Sequence, residues 1–211
     1  MTAAPSPRLD PACPLVLASG SPRRREVLET LRIPHVVVPV DVDESTRGAE
    51  PPAAYLERIV TAKLEAGARA GGPERAASLV LVADTSVLVD GAILGKPTST
   101  EHAEEMISRL AGRSHEVCTR FALGVRATGG ASTCLHAETV RTVVHVRPLD
   151  AAQVRAYVAT GEGTDKAGAY AVQGIGAGIV SRIEGSYTNV VGLPACELVV
   201  ALEGLGIQGI R

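Results

Sequence analysis

Apolar and polar residues alternate between strand-like and helix-like periods along the chain, which predicts an α/β protein with a mixed sheet. Short continuous apolar runs predict buried strands, and apolar positions three and four residues apart predict amphipathic helices. The predicted strands cover residues 15–18, 35–40, 79–83, 86–89, 92–94, 115–125 and 138–146. The predicted helices cover residues 22–31, 51–70, 98–111, 151–160 and 194–202. Short strands are expected after a glycine-rich region at residues 161–178.

Turn and capping residues mark several of these boundaries. Ser21 is a suitable N-cap for the first helix, and Asp150 for the fourth. Thr98 and Glu101 have the spacing of a capping box, which predicts the start of the third helix. The Asp-Gly pair at residues 90–91 lies between two short apolar runs, so it predicts a tight hairpin there.

Composition limits the class of protein. The chain has 211 residues, of which 45% are hydrophobic and 21% charged, values typical of one large or two small globular domains. Residues 1–13 are rich in Pro and Ala and predict a flexible tail, which leaves residues 14–211 as the folded domain. Only one Phe, four Tyr and no Trp are present, and the formal net charge is -2. Both values argue against a nucleic-acid-binding protein, which needs stacking platforms and a basic excess.

The cysteines and the apolar segments indicate a cellular compartment. The four cysteines are scattered, contain no C-x-x-C pair and have no histidine cluster near them, so a structural zinc site is not supported. The N-terminal segment lacks the pattern of a signal peptide, and no apolar run is long enough to span a membrane. We therefore expect a cytoplasmic protein that does not bind membranes.

Two groups of basic residues occupy unusual positions. Arg23, Arg24 and Arg25 lie in the first turn of a predicted helix, where cations oppose the positive end of the helix dipole. A bound phosphate chain would offset that repulsion, whereas the alternative is a solvated basic turn. Lys63 lies on the apolar stripe of the long helix. Its ammonium either extends to the edge of the core or faces an anion in a cleft.

Acidic residues follow two of the predicted strands. Asp84 follows residues 79–83, and Asp43 and Glu44 follow residues 35–40. Ligands of α/β sheets bind outside the carboxyl ends of strands. Two acidic clusters there would suit Mg²⁺, which takes few carboxylates together with substrate phosphates and water. The alternative for Asp84 is a turn in which its carboxylate bonds to the local backbone.

The glycine-rich segments do not form a common nucleotide-binding motif. Gly95, Lys96 and Pro97 end a run with the wrong glycine spacing for a phosphate loop, and proline stands where a metal-binding Ser or Thr belongs. Residues 174–178, GIGAG, do not match the dinucleotide fingerprint. A kinase or dinucleotide enzyme is therefore not indicated. Cations and carboxylates from separate loops suit a metal-chelated polyphosphate better than any other class of ligand.

Several segments resemble motifs of the Maf family, named for septum-formation inhibition. They are LASGSPRR at residues 17–24, ADT at 83–85, LGKP at 94–97, RLAGRSH at 109–115, DKAGAYAVQG at 165–174 and VVGLP at 190–194. The resemblance covers about residues 15–205, in order and at the spacing of the family. It implies an elongated, twisted mixed sheet flanked by helices, with two lobes and a central cleft, similar to inosine-triphosphate pyrophosphatases. Family members are often dimers, and no apolar stripe in this sequence identifies an interface.

The resemblance also implies an activity and a set of site residues. Members hydrolyse the α–β phosphate bond of nucleoside triphosphates with Mg²⁺ or Mn²⁺. The phosphate-binding residues implied by the motifs are Ser19, Arg23, Arg24, Lys63 and Lys96. The metal-binding residues implied are Glu44 and Asp84, with Asp84 as the favoured catalytic base.

Three positions bear on base preference within the family. Arg23, Thr85 and Gln173 match the members that act on dTTP and UTP, whereas members that prefer 7-methyl-GTP differ at all three. The resemblance thus predicts hydrolysis of dTTP and UTP, with a role in removing modified pyrimidine nucleotides. Two alternatives stay open at this point: a pyrophosphatase for another modified nucleotide such as 7-methyl-GTP, and a non-catalytic nucleotide-binding regulator of cell division.

Overall fold

The computed structural model describes residues 9–70, 78–126 and 131–207, and within these ranges it has the predicted mixed α/β fold. The strands are β1 (Leu15–Leu17), β2 (His35–Val37), β3 (Val80–Val89), β4 (Ala92–Leu94), β5 (Ser114–Arg126), β6 (Ser132–Val146) and β7 (Val180–Glu184). The helices are α1 (Pro22–Thr30), α2 (Pro52–Ala70), α3 (Thr100–Leu110), α4 (Ala151–Val158), α5 (Tyr187–Val191) and α6 (Ala195–Gly204). No helix in these ranges combines the length and the hydrophobicity needed to cross a membrane.

The described strands form one mixed sheet with the order β2-β1-β3-β5-β6-β7, and β4 pairs with β3. Strand β1 pairs in parallel with both β2 and β3, whereas the β3–β4 and β6–β7 pairs are antiparallel. The mixed sheet predicted from the sequence is therefore confirmed. The cleft between two lobes that the family resemblance implies stays a prediction.

The chain divides into two compact units. Unit 1 comprises the described residues of 1–84, 120–139 and 192–211, and unit 2 comprises residues 85–119 and 140–191. The core of unit 1 includes Val16, Ala18, Val60, Leu64, Val80, Val82 and Ala122. The core of unit 2 is built around α3, α4 and strands β3 to β6, and includes Val87, Met106, Ile107, Val117, Val144 and Tyr157.

The predicted N-terminal tail, residues 1–13, is described only in part. Residues 1–8 lie outside the described residues, and Asp10 and Cys13 form a short β-bridge. The boundary at residue 14 stays a prediction. Gly71 and Gly72, which follow the predicted end of the second helix at residue 70, also lie outside the described residues. All four cysteines are free thiols.

Local signals predicted most element boundaries correctly. Helix α1 begins at Pro22 with Ser21 as its N-cap residue, although the Ser21 side chain makes no capping hydrogen bond. Helix α4 has a complete capping box, because Asp150 Oδ1 accepts from the Gln153 amide and Gln153 Oε1 accepts from the Asp150 amide. The predicted hairpin is also present, with Asp90 and Gly91 at positive φ between β3 and β4.

Five details of the predicted secondary structure were wrong. Strand β2 ends at Val37 instead of residue 40, and β6 begins at Ser132 instead of residue 138. The N-cap of α3 is Ser99, whose Oγ accepts from the His102 amide at 3.1 Å, while Thr98 contacts the His102 ring. The two runs 79–83 and 86–89 form the single strand β3, because no Gly or Pro interrupts the chain between them. After the glycine-rich region, β7 is followed by helix α5 instead of further strands.

Helix α2 approaches the sheet closely at a glycine. A Cβ atom built on Gly67 would lie 2.7 Å from Ala18 Cβ and 2.9 Å from Val80 Cγ1, well inside normal contact distance. Ala18 follows β1, and Val80 begins β3. Gly67 therefore allows α2, which carries Lys63, to pack directly on the two strands that lead to Ser19 and Asp84.

This packing can be tested with Gly67→Ala. The added methyl has no space, so we expect a loss of about 1–3 kcal/mol in the free energy of unfolding, measured by urea denaturation. Gly204→Ala is a matched control, because Gly204 also lies in a helix but has no atom within 4 Å of its built Cβ. Equal stability of Gly67→Ala and the wild type would contradict the close approach.

Candidate active site

Asp84 lies inside a strand and not at a strand end. It is the fifth residue of β3, whose ten residues continue to Val89, and only 8% of its surface is exposed. The sequence-based expectation of an acid beyond a strand terminus is therefore wrong, and so is the alternative of a turn. A side chain held by a buried strand has little freedom, so the Asp84 carboxylate is fixed in position.

The ammonium of Lys63 joins two carboxylates. Lys63 Nζ lies 2.6 Å from Asp84 Oδ1 and 2.6 Å from Glu44 Oε1. Lys63 is only 7% exposed, so its side chain does not extend to solvent at the edge of the core, the first alternative for this residue. An ammonium buried without anions would be strongly unfavourable, and the two carboxylates compensate its charge.

Tyr55 orients the segment that carries Glu44. Its hydroxyl donates to the backbone carbonyl of Glu44 at 3.1 Å. Burial raises the pKa of Tyr55 to about 12, and the charges of Asp84 and Glu44 act in the same direction. The hydroxyl therefore stays protonated near neutral pH and keeps its role as a donor. This tyrosine, at the start of α2, was not found from the sequence, where it looked like one more apolar position of the helix.

Ser19 and Arg24 form the second part of this site. Ser19 Oγ accepts from Arg24 Nη1 at 3.0 Å and from the Ser21 amide at 3.2 Å. Arg24 Nε donates to the carbonyl of Gly192 at 2.9 Å. Burial lowers the pKa of the Arg24 guanidinium; the nearby cation of Arg23 acts in the same direction, while Asp84 and Glu44 oppose it. Arginine remains charged under any ordinary condition, so a fixed cation lies within electrostatic reach of both carboxylates.

These residues make up what we call the charged cluster of unit 1: Ser19, Arg24, Glu44, Lys63 and Asp84. Arg23, the neighbour of Arg24, is half-buried, and among the described residues its side chain has no hydrogen bond or ion pair. The cluster holds two cations and two carboxylates. Such a set can bind an anionic group through the cations and can hold a cation or a water molecule through the carboxylates.

The carboxylates also fit a divalent cation. No group of three or more His, Cys, Asp or Glu side chains that could hold a metal occurs among the described residues. Mg²⁺, however, is commonly held through one or two carboxylates together with phosphate oxygens and water. Glu44 and Asp84 already converge on one cationic atom, Lys63 Nζ. Their hard oxygen donors suit Mg²⁺ or Mn²⁺.

The other predicted site residues belong to unit 2 and are described separately. Lys96 is exposed just after β4, and within the described residues its ammonium has no hydrogen bond or ion pair. Thr85 is half-buried, and its Oγ1 lies 2.9 Å from Thr119 Oγ1. Gln173 is half-buried and immediately precedes the 3-10 turn Gly174–Gly178.

Glu162 holds the turn that follows Gln173. Its carboxylate accepts from the amides of Ile175 and Gly176, both at 2.7 Å, and from the Tyr157 hydroxyl at 3.0 Å. A carboxylate that binds consecutive amides fixes the backbone strongly. The role of Glu162 was not predicted from the sequence, although an acidic residue at the start of a glycine-rich segment is a signal for such a contact.

The comparisons with known proteins identify the family of the chain. Residues 14–205 match the family model described as Maf-like protein. A dTTP/UTP pyrophosphatase of Geobacter sp. (strain M21) is 47% identical over 92% of this chain and 97% of its own. Proteins with the same name from Moorella thermoacetica and Anaeromyxobacter sp. (strain Fw109-5) are each 46% identical, over 92% and 91% of this chain and 97% and 89% of their own. The chain therefore belongs to the Maf family.

Proposed function

We propose that this protein is a nucleoside-triphosphate pyrophosphatase that hydrolyses dTTP and UTP at the α–β phosphate bond, giving the nucleoside monophosphate and pyrophosphate. Its relatives bear the name dTTP/UTP pyrophosphatase at 44–47% identity. The observation that carries the proposal is the convergence of Asp84 and Glu44 on the buried Lys63, next to Arg24 and Ser19. Modified pyrimidine nucleotides would be substrates of the same kind.

The chemical step is attack of water on the α-phosphorus. The new P–O bond forms as the bond to the bridging oxygen breaks, and pyrophosphate leaves with the electron pair. In this proposal Asp84 accepts the proton of the attacking water. Asp84 is buried and held by β3, whereas Glu44 is exposed and lies outside the strands and helices. A fixed acceptor is the better general base, because proton transfer requires hydrogen-bond distance in the transition state.

The basic residues stabilise the charge that develops on pyrophosphate. Lys63 and Arg24 supply fixed positive charge inside unit 1, and Ser19 supplies a hydroxyl. Preorganised cations of this kind contribute strongly in a partly desolvated site. Arg23 and Lys96 are proposed to bind the phosphates as well, because they lie in the family motifs at residues 17–24 and 94–97.

Glu44 and Asp84 are the residues that would hold Mg²⁺ or Mn²⁺. When bound there, the cation would offset the phosphate charge and lower the pKa of water. The substrate is a free nucleotide, and neither nucleic acid nor a membrane is part of the proposal. The four free thiols are in keeping with the cytoplasmic location expected from the sequence.

The proton acceptor can be tested with Asp84→Asn. This change keeps the shape of the side chain but removes its basicity, so kcat for dTTP and UTP should fall by at least about 10²-fold. Pyrophosphate release measures the rate, and a thermal melt checks that the protein is folded. Asp90→Asn is the control, since Asp90 follows the same strand but pairs with Arg113 at the surface. Near-normal turnover in folded Asp84→Asn would remove Asp84 from this role.

The metal-binding role is tested separately with Glu44→Gln. Losing one carboxylate should raise the Mg²⁺ concentration that gives half-maximal activity by at least about tenfold, the scale seen even for residues that support metal ligands indirectly. Direct binding of Mn²⁺, followed by electron paramagnetic resonance without nucleotide, should weaken in parallel. Asp43→Asn is a neighbouring control, because that carboxylate accepts from the Ser45 amide. An unchanged metal requirement in Glu44→Gln would contradict the assignment.

Base preference can be tested at the three positions that the family resemblance singled out. Arg23→Lys, Thr85→Val and Gln173→Glu should each change the order of kcat/KM among dTTP, UTP, CTP and 7-methyl-GTP. The thermal midpoints of the Arg23 and Gln173 variants should change little, because both side chains are partly exposed. Thr85→Val also loses the hydrogen bond to Thr119, so its thermal midpoint should fall somewhat. The same order of substrates before and after substitution would show that these positions do not set specificity.

A further inference from the structure

A chain of hydrogen bonds in unit 2 links the buried side chain of Asn189 to the hydroxyl of Thr85. The chain begins at Asn189 in α5, which is fully buried. Asn189 Oδ1 accepts from the Thr119 amide at 3.1 Å, and its Nδ2 donates to the carbonyl of Val117 at 3.0 Å. A backbone amide can only donate and a backbone carbonyl can only accept, so the two partners fix the orientation of the Asn189 amide.

Thr119 determines which hydroxyl is the donor in the next hydrogen bond, the one to Thr85. It is fully buried in β5, and its hydroxyl donates to the backbone carbonyl of Asn189 at 3.0 Å. A threonine hydroxyl has a single proton, and here that proton is directed to Asn189. The 2.9 Å contact between Thr119 Oγ1 and Thr85 Oγ1 therefore requires Thr85 to be the donor. The hydroxyl proton of Thr85 points to Thr119.

We infer that Thr119 and Asn189 are positioning residues that make Thr85 a hydrogen-bond acceptor toward the nucleotide base. This inference rests on the proposed function. The N3 position of uracil and thymine carries a hydrogen and donates, whereas N3 of cytosine is an acceptor. The Thr85 oxygen, whose own proton is donated to Thr119, can accept a hydrogen bond from N3–H of uracil or thymine. The same oxygen would repel the lone pair on N3 of cytosine. Buried polar groups that read a base in this way discriminate more sharply than apolar pockets do.

The inference explains why fully buried polar groups occupy this part of the fold. Asn189, Thr119 and Thr142 are each 0% exposed. Apolar residues of similar shape would fill the same space without the desolvation cost of polar atoms. A network in which every donor and acceptor is satisfied is rigid, and each of its hydrogen bonds has a fixed donor and a fixed acceptor. Recognition of one base edge requires such a fixed pattern.

The test uses Thr119→Val, which keeps the shape and removes the hydroxyl. Without its acceptor, the Thr85 hydroxyl can rotate and donate to N3 of cytosine. We expect the ratio of kcat/KM for UTP to that for CTP to fall by about tenfold, the effect of about 1.4 kcal/mol from one hydrogen bond. Thr119→Ser keeps the hydroxyl and should keep the wild-type ratio. Thr119→Ala removes the same group and serves if the valine variant does not fold.

Thr142→Val is a matched control within the same network. Thr142 accepts from Asn189 Nδ2 at 2.9 Å and donates to the carbonyl of Ser186 at 3.1 Å, and no contact joins it to Thr85 among the described residues. Both valine variants should lower the thermal midpoint, since both break buried hydrogen bonds. Only Thr119→Val should change the UTP to CTP ratio. An equal change in both variants, or in neither, would overturn the inference.

The wild-type protein gives a second readout that requires no variant. In 3-deaza-UTP the N3–H group is replaced by C–H, so its kcat/KM should be about tenfold or more below that of UTP. Equal rates with these two nucleotides would mean that N3–H is not read, which overturns the inference and leaves the proposed function intact. If the protein released no pyrophosphate from UTP or dTTP at all, the proposed function would fail, and the inference would fail with it.

Discussion

The buried ammonium of Lys63 is the interaction on which the candidate site of unit 1 depends. Its charge is tolerated only because Asp84 and Glu44 both lie 2.6 Å away. These contacts tie α2, β3 and the segment after β2 to one point. A protein selected for stability alone would gain by replacing such a group with well-packed apolar side chains. The charges are those that the proposed binding of a polyphosphate and a divalent cation would need.

Much of the fold was predictable because its signals are local. Ser21 and Asp150 marked helix starts correctly, since a cap is decided within a few residues. The cap of α3 was placed one residue early, because Thr98 and Ser99 can both cap and only the backbone angles decide between them. Strand β3 was divided because an acid inside an apolar run resembles a break. The strand continues as an inner strand of the sheet, between β1 and β5, and that position depends on residues distant in sequence.

The chemistry of the site was more predictable than its geometry. Charge types in unexpected places led to Arg24, Lys63 and Asp84 without knowledge of the fold, and the family motifs then supplied roles for them. The partners that hold such side chains were missed. Thr119 and Asn189 are short polar residues in ordinary strand and helix sequence, and their contact spans 70 residues. Nothing in their local pattern separates them from surface positions.

The candidate site residues of unit 1 are mostly charged, whereas those of the network behind Thr85 in unit 2 are uncharged. This difference fits the two proposed tasks, phosphate binding and base recognition. In the proposed function a phosphate chain is bound by cationic groups, and unit 1 contributes the long side chains of Lys63 and Arg24. Reading a base requires a fixed direction of hydrogen bonding, which an uncharged buried network provides, because each donor in it has one partner. Asp84 and Thr85 are neighbours in sequence but belong to different units. If Thr85 reads the base and Asp84 serves hydrolysis, as proposed, a change in the hydrogen-bond network behind Thr85 should alter base preference while Asp84 keeps its contact with Lys63.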